Sequence, residues 1–155
     1  MRFSTRFSTL LLASALFLLF TPQVHAAIDE TTPDAQALSQ LELRAQQASP
    51  RDQCYLYTQL VHTMTEIALK QMVNGDDEQA NATLKQVNRY AHLIQVNLEQ
   101  NTKRLKNAEM LMHHTTLRLA QALHLASEDD RTTVQATLKQ LDLVQNQILD
   151  QVFNH

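Results

Sequence analysis

The chain has 155 residues, with 13 lysines and arginines against 16 aspartates and glutamates, and its formal net charge is −3. This weakly acidic balance, without a broad basic face, makes the chain a poor candidate for binding nucleic acid. A single cysteine excludes a scaffold of intrachain disulfides. A single glycine, together with many leucines, alanines and glutamines, favours an all-α fold.

Residues 1–26 have the pattern of a secretory signal peptide. Arg2 and Arg6 precede the apolar run TLLLASALFLLF, and Val24 and Ala26 are the small residues before the expected cleavage point. The alternative is an uncleaved membrane anchor, but the run is shorter than the ~20 apolar residues that cross a bilayer. We therefore expect an exported protein, periplasmic or secreted, with no transmembrane segment in its mature chain.

Residues 27–48 are predicted to form a polar leader and a short helix. Pro33 suits the first position of a helix, and small or apolar residues recur at helical spacing from Ala35 to Ala48. A helix of about 16 residues is marginal in isolation, so this one must dock on the rest of the chain. A helical bundle domain is predicted to follow over residues 49–155.

The second predicted helix begins at Ser49. Ser49 is a suitable cap, Pro50 suits the first helical position, and Asp52 lies three residues after the cap. The apolar residues of this helix form a wide stripe, which indicates a broadly buried face: Tyr57, Leu60, Val61, Met64, Ile67, Ala68 and Met72. Gly75 is expected to close the helix in the left-handed conformation.

The segment 76–126 contains neither glycine nor proline, and its apolar positions alternate steps of three and four residues without a slip. This heptad pattern, typical of coiled coils, predicts one long central helix with antiparallel helical hairpins built around it. Asn101 is a polar interruption, and the alternative is an up-down four-helix bundle with a break near residue 101. We favour the long helix because a loop normally resets the phase of the pattern.

The last helix is predicted to start at Ser127, where Asp130 completes a capping box, and to run almost to the C terminus. Short links at Gly75 and Ser127 imply two antiparallel hairpins. The second half of the central segment carries apolar residues beyond its heptad seam: Met110, Leu111, Leu117, Ala120, Leu123 and Leu125. One partner helix cannot cover so wide a face, so either the first helix or another subunit is expected to pack there.

The richest cluster of possible metal ligands is the stretch EMLMHH. Met110, His113 and His114 share one helical face, and thioether with imidazole ligands suits copper, particularly Cu(I). One helix rarely supplies a whole site, so the alternative is a methionine-filled core with histidines at its solvent edge. His62 and Glu66, four residues apart, are expected to form a surface ion pair.

Cys54 leaves three alternatives open. An unpaired cysteine in an exported protein suggests an intermolecular disulfide. A thiol one turn into a helix is also a candidate core residue, or a reactive thiol activated by the helix N-terminus. Because no second cysteine exists, dithiol chemistry within one chain is excluded.

The segments SPRDQCYLYTQLVHTMTEIA, TKRLKNAEMLMHHTT and ATLKQLDLVQNQIL resemble a group of uncharacterised exported bacterial proteins. The resemblance implies location and an all-helical fold, and it transfers no catalytic residue. The sequence has no nucleophile elbow and no phosphate loop, so neither catalysis nor a cofactor is expected. The hypothesis is an exported helical interaction or structural module, which associates with itself or with another envelope protein. The alternative is a periplasmic copper-binding bundle.

Overall fold

The computed structural model describes residues 33–98, 102–124 and 126–154. Within these ranges the chain forms helices and no strand, which confirms the all-α prediction. The predicted signal peptide and polar leader lie outside the described residues and stay predictions. The helices are α1 (Pro33–Gln47), α2 (Pro50–Asn74), α3 (Asp77–Val96), α4 (Leu105–Ala122) and α5 (Glu128–Phe153).

Two antiparallel hairpins, α2–α3 and α4–α5, form the bundle. Gly75 closes α2 in the left-handed conformation, with a φ of 80°, and its N–H donates to the carbonyl of Met72. Ser127 caps α5 as predicted, since its hydroxyl accepts from the N–H of Asp130 at 3.2 Å. At α2 the Ser49 hydroxyl instead donates to the carboxylate of Asp52, so the predicted side-chain cap is not formed there.

The two hairpins stack side by side, with α2 parallel to α4 and α3 parallel to α5. On the first seam, Glu66 accepts two hydrogen bonds from Arg118, a partner 52 residues later. On the second, Asn88 donates to Thr137 at 2.9 Å. Around the bundle the order of helices is α2, α3, α5, α4, so the consecutive helices α3 and α4 lie diagonally opposite.

The preferred prediction of one long helix over 76–126 is wrong, and the alternative break near residue 101 is the one observed. Asn97 ends α3 with its backbone and side-chain N–H groups both directed to the carbonyl of Leu93. Arg104 lies in the left-handed region with a φ of 57°, and α4 starts at the next residue. A rigid continuous helix would have placed α4 beyond the end of α2, where it could not bury its apolar stripe.

The heptad phase survives the break because of the spacing of core residues on either side. Ile94 and Ala108 are both fully buried, and the fourteen residues that separate them equal about two heptads. The connection therefore changes the direction of the chain without changing the phase of the pattern. Just before α4, the N–H of Lys103 donates to the carbonyl of Arg51 at 2.8 Å, which ties this end of α4 to α2.

The core lies between the two hairpins. The largest fully buried side chains come from all four bundle helices and include Leu60, Leu84, Ile94, Met112, Leu119, Leu141 and Ile148. Helix α1 docks on the outside of the α2–α3 hairpin and buries Leu41 and Ala45. Among the described residues, the backbone of α1 closely approaches that of α2 alone.

Amide side chains one heptad apart line the seam between the parallel helices α3 and α5. Each finds a polar partner on α5, and the pairs are Asn81 with Asp130, Asn88 with Thr137, and Gln95 with Gln140 and Gln147. Polar groups at a packed seam are costly when a helix slides, because each slip leaves them without partners. These hydrogen-bonded pairs therefore fix the register of one hairpin against the other.

Candidate functional site

An open groove runs along the outside of the α4–α5 hairpin and is the candidate binding surface, called here the α4–α5 outer face. Its volume is about 280 Å³. The lining side chains are His113, Thr116, Leu117, Ala120, Leu138, Asp142 and Gln145. Leu117, one of these lining residues, is 51% exposed. The surface thus combines an apolar floor with a polar rim.

On the other hairpin, α1 packs against α2 and contacts Tyr90 of α3. Tyr57 of α2 and Tyr90 of α3 stack with their ring centroids 6.0 Å apart, and the Tyr90 hydroxyl donates to Glu42 of α1. Burial and the Glu42 carboxylate together raise the pKa of Tyr90 to about 12, with burial the larger cause. We predicted that either α1 or another subunit covers the second half of the segment 76–126. Among the described residues α1 packs elsewhere, and packing by another subunit stays a prediction.

A polar atom beneath the α4–α5 outer face lacks a partner. The hydroxyl oxygen of Thr116 is buried and has no hydrogen-bond partner among the described residues. By contrast, the neighbouring Thr115 donates to the carbonyl of Leu111 at 2.7 Å, which is the usual arrangement for a threonine within a helix. A buried hydroxyl left without any partner costs about 1–3 kcal/mol.

The structure does not bring Met110, His113 and His114 together around one point. Met110 is 61% exposed, and its side chain projects to solvent. His113 turns toward α5, where its Nδ1 lies 3.0 Å from Nε2 of Gln145. His114 turns the other way, toward α2. A copper site on all three residues stays a prediction, and it would require one of the two imidazoles to reorient.

His114 meets His62, and no pattern in the sequence pairs them. The two ring centroids are 5.6 Å apart and the rings are inclined at 62°. His62 also bonds through Nδ1 to the hydroxyl of Thr115 at 3.0 Å. The pKa of His62 is lowered, mainly because burial disfavours the charged ring, although Glu66 partly opposes the shift. A neutral imidazole with one free nitrogen is therefore held at this seam.

Glu66 pairs with Arg118 rather than with His62, which corrects the predicted surface ion pair. Both carboxylate oxygens are engaged, at 3.1 Å to Nε and 3.0 Å to the guanidinium NH2 group. Hydrogen bonding from Arg118 holds the pKa of Glu66 below its ordinary value. The pairing depends on α2 lying parallel to α4, whereas the sequence pattern offers only the local four-residue spacing.

Cys54 is a fully buried residue of the core. Burial raises the pKa of its thiol to about 12, partly opposed by a hydrogen bond with Thr58. The Thr58 hydroxyl also donates to the carbonyl of Cys54 at 2.8 Å. The predicted intermolecular disulfide stays a prediction, and its formation would require the packing around α2 to open.

Two further findings concern the described part of the chain as a whole. None of its helices combines the length and apolar character that crossing a membrane requires. Its histidine, cysteine, aspartate and glutamate side chains form no group of three or more suited to holding a metal ion. No family model, no curated protein and no solved structure matches this chain, so its own residues must carry the functional argument.

Proposed function

We propose that the protein is an exported helical interaction module that associates with itself through the α4–α5 outer face. The observation that carries the proposal is the asymmetry of the two hairpins. Helix α1 packs on α2 and reaches α3 through the Tyr90–Glu42 hydrogen bond, whereas among the described residues no further helix packs on the outside of α4–α5 and Leu117 is half exposed. Stacked helical hairpins bury their apolar faces against neighbours, and an uncovered terminal hairpin is a natural site of association.

A second copy of the same face suits this groove. In a two-fold dimer the same patch meets itself, so a residue i that contacts j is matched by j contacting i. The groove offers a base, His113, and an acid, Asp142, on opposite helices. If the two-fold axis runs along the groove, α4 of one copy faces α5 of the other, and His113 can then pair with Asp142 twice. The apolar floor around Leu117 then lies at the centre of the interface.

The proposal includes export and a role in binding rather than catalysis. The basic, apolar and small-residue regions of residues 1–26 support export. Sequencing the N terminus of protein recovered from the cell envelope tests this part, and the expected first residue is Ala27. Recovery of the protein in the cytoplasm with Met1 retained would contradict it.

Sedimentation of the purified protein tests the self-association. Leu117→Gln removes apolar area from both copies of a two-fold interface. Burying the exposed half of a leucine contributes about 1 kcal/mol per copy, so the dissociation constant should rise by about tenfold or more. Leu43→Gln is a matched control, since Leu43 is 53% exposed on α1, whose backbone does not approach α4 or α5 among the described residues.

Three outcomes contradict the proposal. The first is a wild-type protein that remains monomeric at about 100 μM, which would direct attention to another envelope protein as the partner. The second is a dimer equally weakened by both substitutions. The third is a dimer unaffected by Leu117→Gln. Circular dichroism of each variant checks that the helical fold is retained.

A further inference from the structure

A second site lies on the other side of α4, at the seam with α2, and is independent of the proposed self-association. We propose that His62, His114 and Met110 bind one Cu(I) ion there. The proposal rests on the spacing of the two imidazoles, the hydrogen bond that fixes one of them, and a methionine one helical turn before the other. This donor set differs from the local cluster in the sequence, because His62 replaces His113.

The spacing of the two imidazoles suits a shared ion. Ring nitrogens bind metal ions through bonds of about 2.0–2.1 Å, so two imidazoles on one ion have ring centres about 5–6 Å apart. The centroids of His62 and His114 are 5.6 Å apart. The inclination of 62° between the rings is compatible with ligands that approach one ion from different directions. The backbone therefore needs no large movement to form the pair.

The hydrogen bonds at this seam leave the correct nitrogen of His62 free. The Thr115 hydroxyl donates its proton to the carbonyl of Leu111, so toward His62 its oxygen acts as acceptor. Nδ1 of His62 is then the N–H donor, and Nε2 has the lone pair. Histidines that bind metals commonly donate their second N–H in this way, which orients the ring. Thr115 is thus a positioning residue.

Met110 is the third donor because the nearest carboxylate is already engaged. Glu66 lies one turn from His62, but both of its oxygens are held by Arg118. Met110 lies one turn before His114, on the same side of α4, and its side chain is exposed. Two imidazoles and one thioether provide three relatively soft ligands and a low coordination number, which favours Cu(I) over Zn(II) or Mg(II).

His113 is excluded from the site by its position. Its Nδ1 lies beside Gln145 of α5, on the groove side of α4. It serves as a matched control, since it is an exposed histidine adjacent in sequence to the proposed ligand. The structure and the local sequence cluster therefore predict opposite results for its substitution.

Anaerobic competition between the protein and bicinchoninate for Cu(I) tests the site. The wild type is expected to withdraw one equivalent of Cu(I), and His62→Gln and His114→Gln to abolish this transfer. Met110→Leu and Thr115→Val should weaken affinity by about tenfold or more. In the Leu117→Gln background, where self-association is already weakened, His113→Gln should leave the affinity for Cu(I) unchanged. Repeating the titration in a Leu117→Gln background separates the copper site from self-association.

Specific results overturn the assignment. Direct titration of the wild type with Cu(I) that shows no binding, or affinity no tighter than about 10 μM, excludes a dedicated site. Loss of binding in His113→Gln restores the local cluster instead. Binding of Zn(II) in place of Cu(I), with no effect of Met110→Leu, would show that the thioether is not a ligand. Thermal unfolding of each apo variant distinguishes loss of a ligand from loss of the fold.

Discussion

Iodoacetamide added to the folded protein at pH 7 measures how tightly the core closes over Cys54. The nucleophile is the thiolate, and burial raises the pKa of this thiol from its ordinary 9.0 to about 12. This difference of about three pH units lowers the thiolate fraction at pH 7 about a thousandfold. The side chain is also 0% exposed, so reagent reaches it only when α2 opens locally or the whole bundle unfolds.

Labelling through opening is therefore expected at the rate of an exposed thiol multiplied by the open fraction, and an opening free energy of about 4 kcal/mol or more makes it at least about a thousandfold slower. Thr132→Cys in a Cys54→Ala background supplies the reference, because Thr132 is exposed on the surface of α5. Mass spectrometry over a time course gives both rates, and urea should bring Cys54 to complete labelling. Complete labelling in urea shows that the thiol is still reduced, so the slow rate in the folded protein comes from burial.

A Cys54 rate within about tenfold of the reference would refute this account of the core. The same samples decide the predicted intermolecular disulfide. On a non-reducing gel, a band at twice the protein mass that disappears with reductant would establish it. Such a band, in protein that otherwise resists labelling, would mean that the cross-link forms before folding is complete.

Three substitutions test the packing by urea unfolding. Leu119→Ala truncates a fully buried side chain and should lower the free energy of unfolding by about 2–5 kcal/mol. A loss below about 1 kcal/mol would contradict the place of Leu119 in the core. Gly75→Ala should lower the free energy of unfolding by about 1 kcal/mol, because φ is 80° and alanine is strained in that conformation. Space is not the cause, since a Cβ at this position meets no atom within 4 Å. Unchanged stability would show that the turn rearranges. Asn88→Leu removes a buried carbonyl oxygen that lacks a partner, while Thr137 keeps its bond to Thr133, so stability should be unchanged or higher by about 1 kcal/mol. A clear loss would mean that an ordered water satisfies Asn88.

Local features of this fold were predictable because their causes are local. Gly75 ends α2 since glycine tolerates the left-handed conformation, and Ser127 starts α5 by capping its free N–H groups. The break between α3 and α4 was missed because the loop has no glycine or proline and spans whole heptads. Arg104 adopts the left-handed conformation there, beside Tyr55, whose ring centroid lies 5.2 Å from the guanidinium carbon.

The candidate sites depended on contacts between residues about 50 positions apart. His62 and Glu66 share one face of α2, and the sequence alone suggested that they pair with each other. Stacking of parallel helices instead provides each with a partner on α4, at His114 and Arg118. No periodicity within one helix encodes that register, because it is set by how the two hairpins slide and rotate against each other.

The apolar stripes, the helix ends at Gly75 and Ser127 and the two tight hairpins could be predicted from the sequence, because periodicity, caps and turn residues act over a few neighbouring positions. The break between α3 and α4, and the choice of neighbouring helices, depended on tertiary packing. That choice turned His113 toward α5 and His114 toward α2, and it placed α1 on the α2–α3 hairpin. The physical reason is that packing is non-local. The same apolar stripes are compatible with several arrangements of the helices, and the arrangement that buries the stripes together is the stable one. That arrangement then decides which polar side chains become neighbours and which apolar residues remain exposed.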